Sequence, residues 1–329
     1  MKKSNVLKLI IATTTKCNAR CDYCFECNDA RSDMTPEVEE NITKFIDKRI
    51  GTNKKLSISW FGGEPLLNTG LMDRISQYCF SKNYKLDAIL VTNVSLLNEE
   101  MLRDSFPKWK IRNIDITLDG TAQEYARIKN YLAPELGNLD RILNNIELAS
   151  KYKIHVRIRL NVNKKNAEDL LILVEQLKQR FDGNQYVTWY MAPLLNTGAD
   201  FDTEEEWIAI LEKYISLSPY KMSLSYSKML PKIEYCLAER SRSYGIDVNG
   251  DIKICGTHFT DNSKTIGNIQ NFDSRRDMRR KYPQLFPKCQ RCCWLPMCGG
   301  GCITRHIHNA IACTPKKYFL IATLRQLTK

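Results

Sequence analysis

No stretch of this 329-residue sequence approaches eighteen consecutive apolar residues, which excludes a membrane-spanning helix. A secretory signal is missing as well. The opening MKKSNVLKLIIATTT imitates one, but Lys8 interrupts a short apolar run, and cysteines stand where a small-residue cleavage site belongs. There is no internal repeat and no low-complexity tract, so a solenoid array is excluded. Acidic residues are outnumbered by basic ones, 37 to 49, for a formal charge of +12. An excess of that sign suits an acidic partner. The basic residues are scattered, however, with KWKIR (108–112) and RRDMRR (275–280) the densest patches. Both read as solvated surface, open at most to an acidic peptide, and no nucleic acid is expected.

What the chain does have is cysteine: thirteen of them. In a small secreted protein that number would mean disulfides. Without an export signal it points to a reducing cytoplasm and to metal ligation, and ligating thiolates would also remove several units of the formal charge. The length is generous for one compact unit, so one large α/β domain and a smaller one are expected.

Six strand-like runs recur: LKLIIATTT (7–15), LSISWFGG (56–63), DAILVTN (87–93), NIDITLDG (113–120), VRIRLNVN (156–163) and YVTWYMAP (186–193). Amphipathic helical segments lie between them at 35–50, 70–82, 98–106, 138–152 and 166–181, with Asn98 and Asn166 as candidate N-caps. The alternation predicts α/β architecture with a parallel sheet wound as a partial (β/α)6, TIM-like barrel over 1–200. One more helix (200–217) opens a connector over 201–232. From 233 to 329 periodicity is poor and cysteines dominate, as in a small domain organised by metal.

Cys17, Cys21 and Cys24 are spaced CxxxCxxC directly after the first strand, at the end where parallel α/β folds place their sites. Three thiolates can bind three irons of a cubane cluster and leave the fourth open, whereas ferredoxin-type clusters take four cysteines. Cys27 stands as a candidate fourth ligand, which a zinc knuckle would require. The other strand ends are polar too: Gly62-Gly63-Glu64-Pro65, Thr92-Asn93 and Thr117-Leu118-Asp119-Gly120. Arg159, Asn161 and Asn163 alternate on the fifth strand and so share one face.

CxxxCxxC with Tyr23 before the last cysteine resembles the signature of radical S-adenosylmethionine (SAM) enzymes. The resemblance implies that SAM chelates the open iron of a [4Fe–4S] cluster and is cleaved by one electron to a 5′-deoxyadenosyl radical. A flavodoxin- or ferredoxin-type donor would supply that electron. GGEP matches the family's motif of that name, and TLDG is a variant of its SxDG. The implied SAM contacts are Tyr23 (near the adenine), Gly62, Gly63, Glu64, Pro65, Asn93, Thr117, Asp119, Lys129, Arg159 and Asn161. Thr117 replaces the usual Ser, and Lys129 stands where many relatives carry Arg, so the bidentate fork is lost.

The tail resembles the SPASM extension. Cys236 is followed after thirteen residues by Gly250 and after four more by Cys255, then Cys289-x2-Cys292-x5-Cys298-x3-Cys302 and Cys313. By analogy Cys236, Cys255 and Cys302 hold a first auxiliary cluster, and Cys289, Cys292, Cys298 and Cys313 a second, making three [4Fe–4S] clusters in all. Cys27, Cys79 and Cys293 remain. Cys79 reads as core, and Cys293, beside a ligand, should point away. Leu230 stands where the sulfatase-maturing branch has another cysteine, which leaves the first auxiliary cluster short of a ligand; His258, His306 and His308 are candidates for it.

The resemblance implies a cytoplasmic oxidoreductase that modifies a ribosomally made peptide, forming a thioether or carbon–carbon crosslink. Only sixteen residues precede Cys17, so a separate leader-peptide-binding protein or the SPASM surface would recognise the leader. The alternative is a sulfatase-maturing, formylglycine-forming enzyme, but that branch has an Asp where Gly256 follows Cys255. A third class, a non-catalytic iron–sulfur electron carrier, leaves GGEP and TLDG without a purpose.

Overall fold

The computed structural model describes residues 5–26, 31–194, 201–217, 238, 242–273, 287–298 and 315–328. Cys27, Leu230, Cys236, Cys302, His306, His308 and Cys313 lie outside the described residues. The chain divides into two compact units. One comprises Met1–Asn18, Cys24–Ile114 and Tyr235–Gln284; the other comprises Ala19–Tyr23, Asp115–Glu234 and Leu285–Lys329.

In the first unit the strands run in the order β3-β2-β1-β7-β8-β9. β1 (Leu7–Ala12), β2 (Lys55–Phe61) and β3 (Lys85–Val91) are parallel, with Leu9 opposite Ile58 and Ile58 opposite Ala88. Alternation explains β2: Leu56, Ile58 and Trp60 are buried, while Ser57, Ser59 and Phe61 on the other face are half-buried. Helix α1 (Pro36–Arg49) starts where Thr35 accepts a hydrogen bond from Val38 N, with Pro36 following and Glu37 and Glu39 in the first turn. Its Ile42, Phe45 and Ile46 are buried, as are Leu71, Ile75 and Cys79 of α2 (Thr69–Ser81). Cys79 is therefore core, and burial pushes its thiol up to about 12. Asn98 does cap, accepting from Met101 N at 2.8 Å, ahead of a π-turn (Met101–Ser105) that leads into the short α3 (Phe106–Trp109).

The region read as aperiodic contributes strands to the same unit. β7 (Ser243–Ile246) pairs parallel with β1, Leu9 opposite Tyr244, and continues antiparallel into β8 (Asp251–Lys253) and β9 (Thr265–Asn268). Asp247 Oδ1 accepts from Asn249 N and Asp251 N at 2.9 Å, and Gly250 takes φ +81° in the turn. Lys253, fully buried, donates to Thr265 Oγ1 at 2.6 Å and lies 3.5 Å from Asp247.

Arg49 closes this arrangement. Its guanidinium sits 5.0–5.9 Å from the rings of Phe45, Tyr244 and Phe272 and donates to Phe272 O, while Arg242 donates to Arg49 O. Arg49→Ala is expected to destabilise the fold by about 2 kcal/mol, the scale of a desolvated cation–π contact plus a hydrogen bond. A melting temperature lowered by several degrees checks this; Arg49→Lys should recover only part.

In the second unit β5 (His155–Val162) lies between β6 (Val187–Pro193) and β4 (Ile111–Leu118), whose first residues belong to the first unit. β5 and β6 are parallel, Arg159 opposite Tyr190. α4 (Ala122–Lys129), α5 (Leu139–Lys151), α6 (Ala167–Phe181), α7 (Glu204–Leu217) and α8 (Pro315–Leu327) complete it. α7 and α8 are joined by Glu204 to Lys317 and Tyr318, at 3.1 and 2.8 Å. Asn166 stands at the N-cap position of α6, but its side chain makes no capping bond. Its amide nitrogen donates to Asp119 O and Asn161 O, and its oxygen accepts from Asn163 N, so the side chain ties strand ends instead. No described helix is long and apolar enough to cross a membrane.

Candidate active site

In the first unit, β1 runs into Thr13-Thr14-Thr15-Lys16 ahead of Cys17, and the GGEP turn closes on that segment. Gly63 N donates to Thr14 O at 2.9 Å and Glu64 N to Lys16 O at 2.8 Å. A Cβ on Gly62, whose φ is +126°, would stand 2.3 Å from Thr14 O, and one on Gly63 2.2 Å from Lys16 O. The glycines thus admit the backbone of the cysteine loop itself. Glu64 is fully buried. Its carboxylate accepts from Leu66 N (3.0 Å), Thr92 Oγ1 (2.7 Å) and Asn93 N (2.8 Å), and burial raises its pKa against those three bonds. It caps the turn Pro65–Leu67 and pins the end of β3. Asn93 passes this order on: its amide donates to Asn18 Oδ1 at 2.8 Å, and its own oxygen accepts from Ser95 Oγ. Asn18 in turn donates to Ser95 Oγ. Of these two expected SAM contacts, Glu64 bonds the turn after it and the end of β3, and Asn93 bonds Asn18 beside Cys17. Asn18 and Ser95 gave no sequence signal, being 77 positions apart.

In the second unit the middle of the cysteine loop is stitched to the end of α4. Arg20 N donates to Lys129 O and Asn130 O at 3.0 Å, Asp22 N donates to Ile128 O, and Ala19 bridges Tyr131. Tyr23, Thr117, Asp119 and Lys129 meet there. Lys129 Nζ lies 2.8 Å from both Asp119 Oδ2 and the Tyr23 hydroxyl and also donates to Thr117 Oγ1; Tyr23 donates to Asp119 Oδ2 at 3.0 Å. Asp119 is fully buried and Lys129 is 2% exposed. Desolvation works against the ammonium, yet Asp119 and the Tyr23 oxygen hold Lys129 well above the ordinary lysine range. Burial and the Asp119 charge push Tyr23 up as well. Lys129 also sits 5.4 and 5.8 Å from the rings of Tyr23 and Tyr125. Arg159 Nε donates to Asn161 Oδ1 at 2.7 Å, and Asn166 joins the backbone of Asn161 to that of Asp119.

Cys17 and Cys21 are half-buried and Cys24 is exposed; none of the three is disulfide-bonded. Burial raises the Cys21 thiol while nearby Lys129 pulls it down. In the tail, Cys255 is half-buried and accepts from Thr257 Oγ1 at 3.3 Å. Cys289 and Cys292 are half-buried, and Cys293 is exposed. Cys298 closes the helical turn Leu295–Cys298. Among the described residues no three His, Cys, Asp or Glu side chains converge as a ready-made metal site.

A family model described as the radical SAM superfamily matches residues 11–177. The chain belongs to the radical SAM superfamily. Membership implies SAM and a [4Fe–4S] cluster as cofactors, and two features fit them. Three thiols on one loop, none of them in a disulfide, are soft ligands suited to iron–sulfur chemistry. Asp119 Oδ1 is buried with no hydrogen-bond partner in the described structure, an acceptor left open beside Tyr23 and Lys129. This radical SAM protein is 23% identical over 332 residues to a Clostridium novyi protein named cysteine-type anaerobic sulfatase-maturating enzyme, covering 89% of this chain and 87% of that one. The solved structure of native anSMEcpe with bound AdoMet and Cp18Cys peptide matches at TM-score 0.72 and 17% identity, over 97% of this chain and 94% of that one. Streptococcus suis SuiB bound to precursor peptide SuiA matches at 0.61 and 18%, over 92% and 73%. These likenesses show the fold: the α/β partial barrel of radical SAM enzymes with a C-terminal extension.

Proposed function

We propose that the chain modifies a peptide or protein, with both cysteine regions taking part. One observation carries this reading: β7 of the tail pairs with β1, the strand that runs into the CxxxCxxC loop. Gly256, directly after Cys255, lies against that strand, where an added Cβ would meet Ile10 Cγ2 at 3.5 Å. The tail's Cys255 and the loop's Cys17 and Cys24 therefore belong to one compact unit. The named peptide complexes of anSMEcpe and SuiB support a peptide substrate.

In this reading Cys17, Cys21 and Cys24 hold the SAM cluster. Cys236, Cys255 and Cys302 hold a first auxiliary cluster, and Cys289, Cys292, Cys298 and Cys313 a second. Cluster and SAM, when bound, would supply one-electron reductive chemistry for hydrogen abstraction. The chain's residues orient it. Tyr23, Thr117, Asp119 and Lys129 offer a charged, buried wall with one carboxylate oxygen open, and Arg159 and Asn161 extend it. Gly62, Gly63 and Pro65 present backbone, while Glu64 and Asn93 hold that backbone and the loop in place. A thioether or carbon–carbon crosslink is the product favoured, with a flavodoxin- or ferredoxin-type donor, a separate leader-binding protein and a cytoplasmic setting.

The similarity to the Clostridium novyi protein supports formylglycine formation as the second reading. Against it, the turn at Gly256 carries no carboxylate and is walled by Ile10 and Phe259. Mass spectrometry of a cysteine-bearing peptide co-expressed with the chain separates the two. A crosslink removes two hydrogens, whereas formylglycine leaves an aldehyde that hydrazides trap. Cys255→Ala should keep SAM cleavage and lose the product; unchanged product would make the first auxiliary site dispensable.

A further inference from the structure

The segment that begins with Cys255 ends on the cysteine loop. Thr260 Oγ1 donates to Phe25 O at 2.6 Å, across 235 positions of sequence, and Phe25 directly follows Cys24. The intervening turn is closed on itself: His258 N donates to Cys255 O, Phe259 N to Gly256 O and Asp261 N to His258 O. Thr257 meanwhile donates to the Cys255 sulfur. A second contact runs through rings. Phe259, 6% exposed, packs edge-on against Phe61 at 5.7 Å, and Phe61 stacks on Phe25 at 6.4 Å and 17°. Phe25 itself is 45% exposed, an unusual position for a large aromatic ring. All of these residues belong to the first unit.

We propose that Thr260 is a positioning residue that clamps the Cys24–Phe25 turn to the Cys255 turn, fixing the third thiol of the loop relative to Cys255. The clamp rests on the reading of Cys24 and Cys255 as cluster ligands. Its purpose is geometric. A radical formed at one site and an electron accepted at the other serve the same substrate atom only if the two turns keep one spacing. The hydroxyl supplies the bond and Phe259 supplies the packing, so an isosteric change at 260 removes the first and spares the second.

Thr260→Val is the test, with Thr260→Ser as the conservative rescue. In the metal-free full-length chain, amide exchange over residues 22–26 should quicken about fivefold in Thr260→Val, the effect of losing one hydrogen bond of about 1 kcal/mol. Thr260→Ser should exchange as wild type does, and β3 should be unchanged in both. In the iron-loaded chain, Thr260→Val should raise 5′-deoxyadenosine formed per product about fivefold and alter the electron paramagnetic resonance line of the reduced, SAM-bound cluster. Unchanged exchange in Thr260→Val, or a Ser variant that behaves like Val, overturns the clamp. Exchange is read without any cofactor, so a wild-type chain that never cleaves SAM counts against the functional reading alone.

Discussion

Cys21→Ala is expected to abolish reductive cleavage of SAM while the chain keeps its fold. The loop's path past residue 21 does not depend on that side chain. Backbone bonds from Arg20 and Asp22 to the end of α4 hold it on either side. On the proposed assignment the substitution removes one of three sulfur ligands, and a cube with three protein ligands is the condition for an iron open to SAM. Anaerobically reconstituted wild-type chain should hold about twelve irons if three cubane clusters form, and the variant about eight. Chromatography for 5′-deoxyadenosine and iron analysis on the same samples read both effects. Persistent 5′-deoxyadenosine, or an iron loss spread over all sites, would place the SAM cluster elsewhere. Spectroscopy of the wild type offers a parallel check: a cluster fully ligated by protein, unperturbed by SAM, contradicts the open iron.

The three-cysteine loop is legible in sequence because thiol spacing is local. Three cysteines within eight positions must share a loop whatever the fold does around them. The six barrel strands were legible for a related reason. In β2, for example, buried Leu56, Ile58 and Trp60 alternate with half-buried Ser57, Ser59 and Phe61, and a period of two survives in the text of the sequence. The hairpin of the tail carried the same kind of signal, since Asn249-Gly250 lies between Tyr244, Ile246, Val248 and Ile252, Ile254. It was obscured because β7 is only four residues long and the surrounding cysteines dominated.

Hydrogen-bond partnerships were the illegible part. Glu64 with Thr92 and Asn93, Asn18 with Ser95, Asn166 with Asp119, and Thr260 with Phe25 join residues 28 to 235 positions apart. Such pairs are set by tertiary approach, and residue type alone announces none of them. Motif resemblance named Glu64 and Asn93 as important, but their roles emerge from burial. A fully buried carboxylate with three donors organises a turn.

The most costly single change in the second unit should be Lys129→Met. Its ammonium and the Asp119 carboxylate are both buried, and removing one partner leaves the other charge without compensation. That costs about 3–5 kcal/mol in comparable buried pairs. The wild-type contribution has a definite sign with pH. Lys129 titrates above its ordinary value in the folded chain, so its stabilisation is complete below the unfolded lysine range and fades only as pH rises through the raised value. At about pH 6–9, wholly below the unperturbed lysine value of about 10.4, the wild type should show no stability change from this group. In the variant the carboxylate keeps Tyr23 as a hydrogen-bond donor but has lost its counter-charge, so the variant's melting temperature should lie below that of the wild type across this range. Lys129→Arg keeps the charge and adds a planar fork, and should retain most stability and SAM binding if the space beside Tyr23 and Tyr125 admits it. Adding Asp119→Asn to Lys129→Met should recover part of the lost stability but not SAM binding, because the carboxylate charge at the unpartnered oxygen goes with it. Thermal melts of the three variants across pH, paired with SAM titrations, separate charge burial from ligand contact. A Lys129→Met chain that melts with wild type at every pH would mean that the pair contributes nothing to the fold, and the buried wall proposed for SAM would lose its anchor.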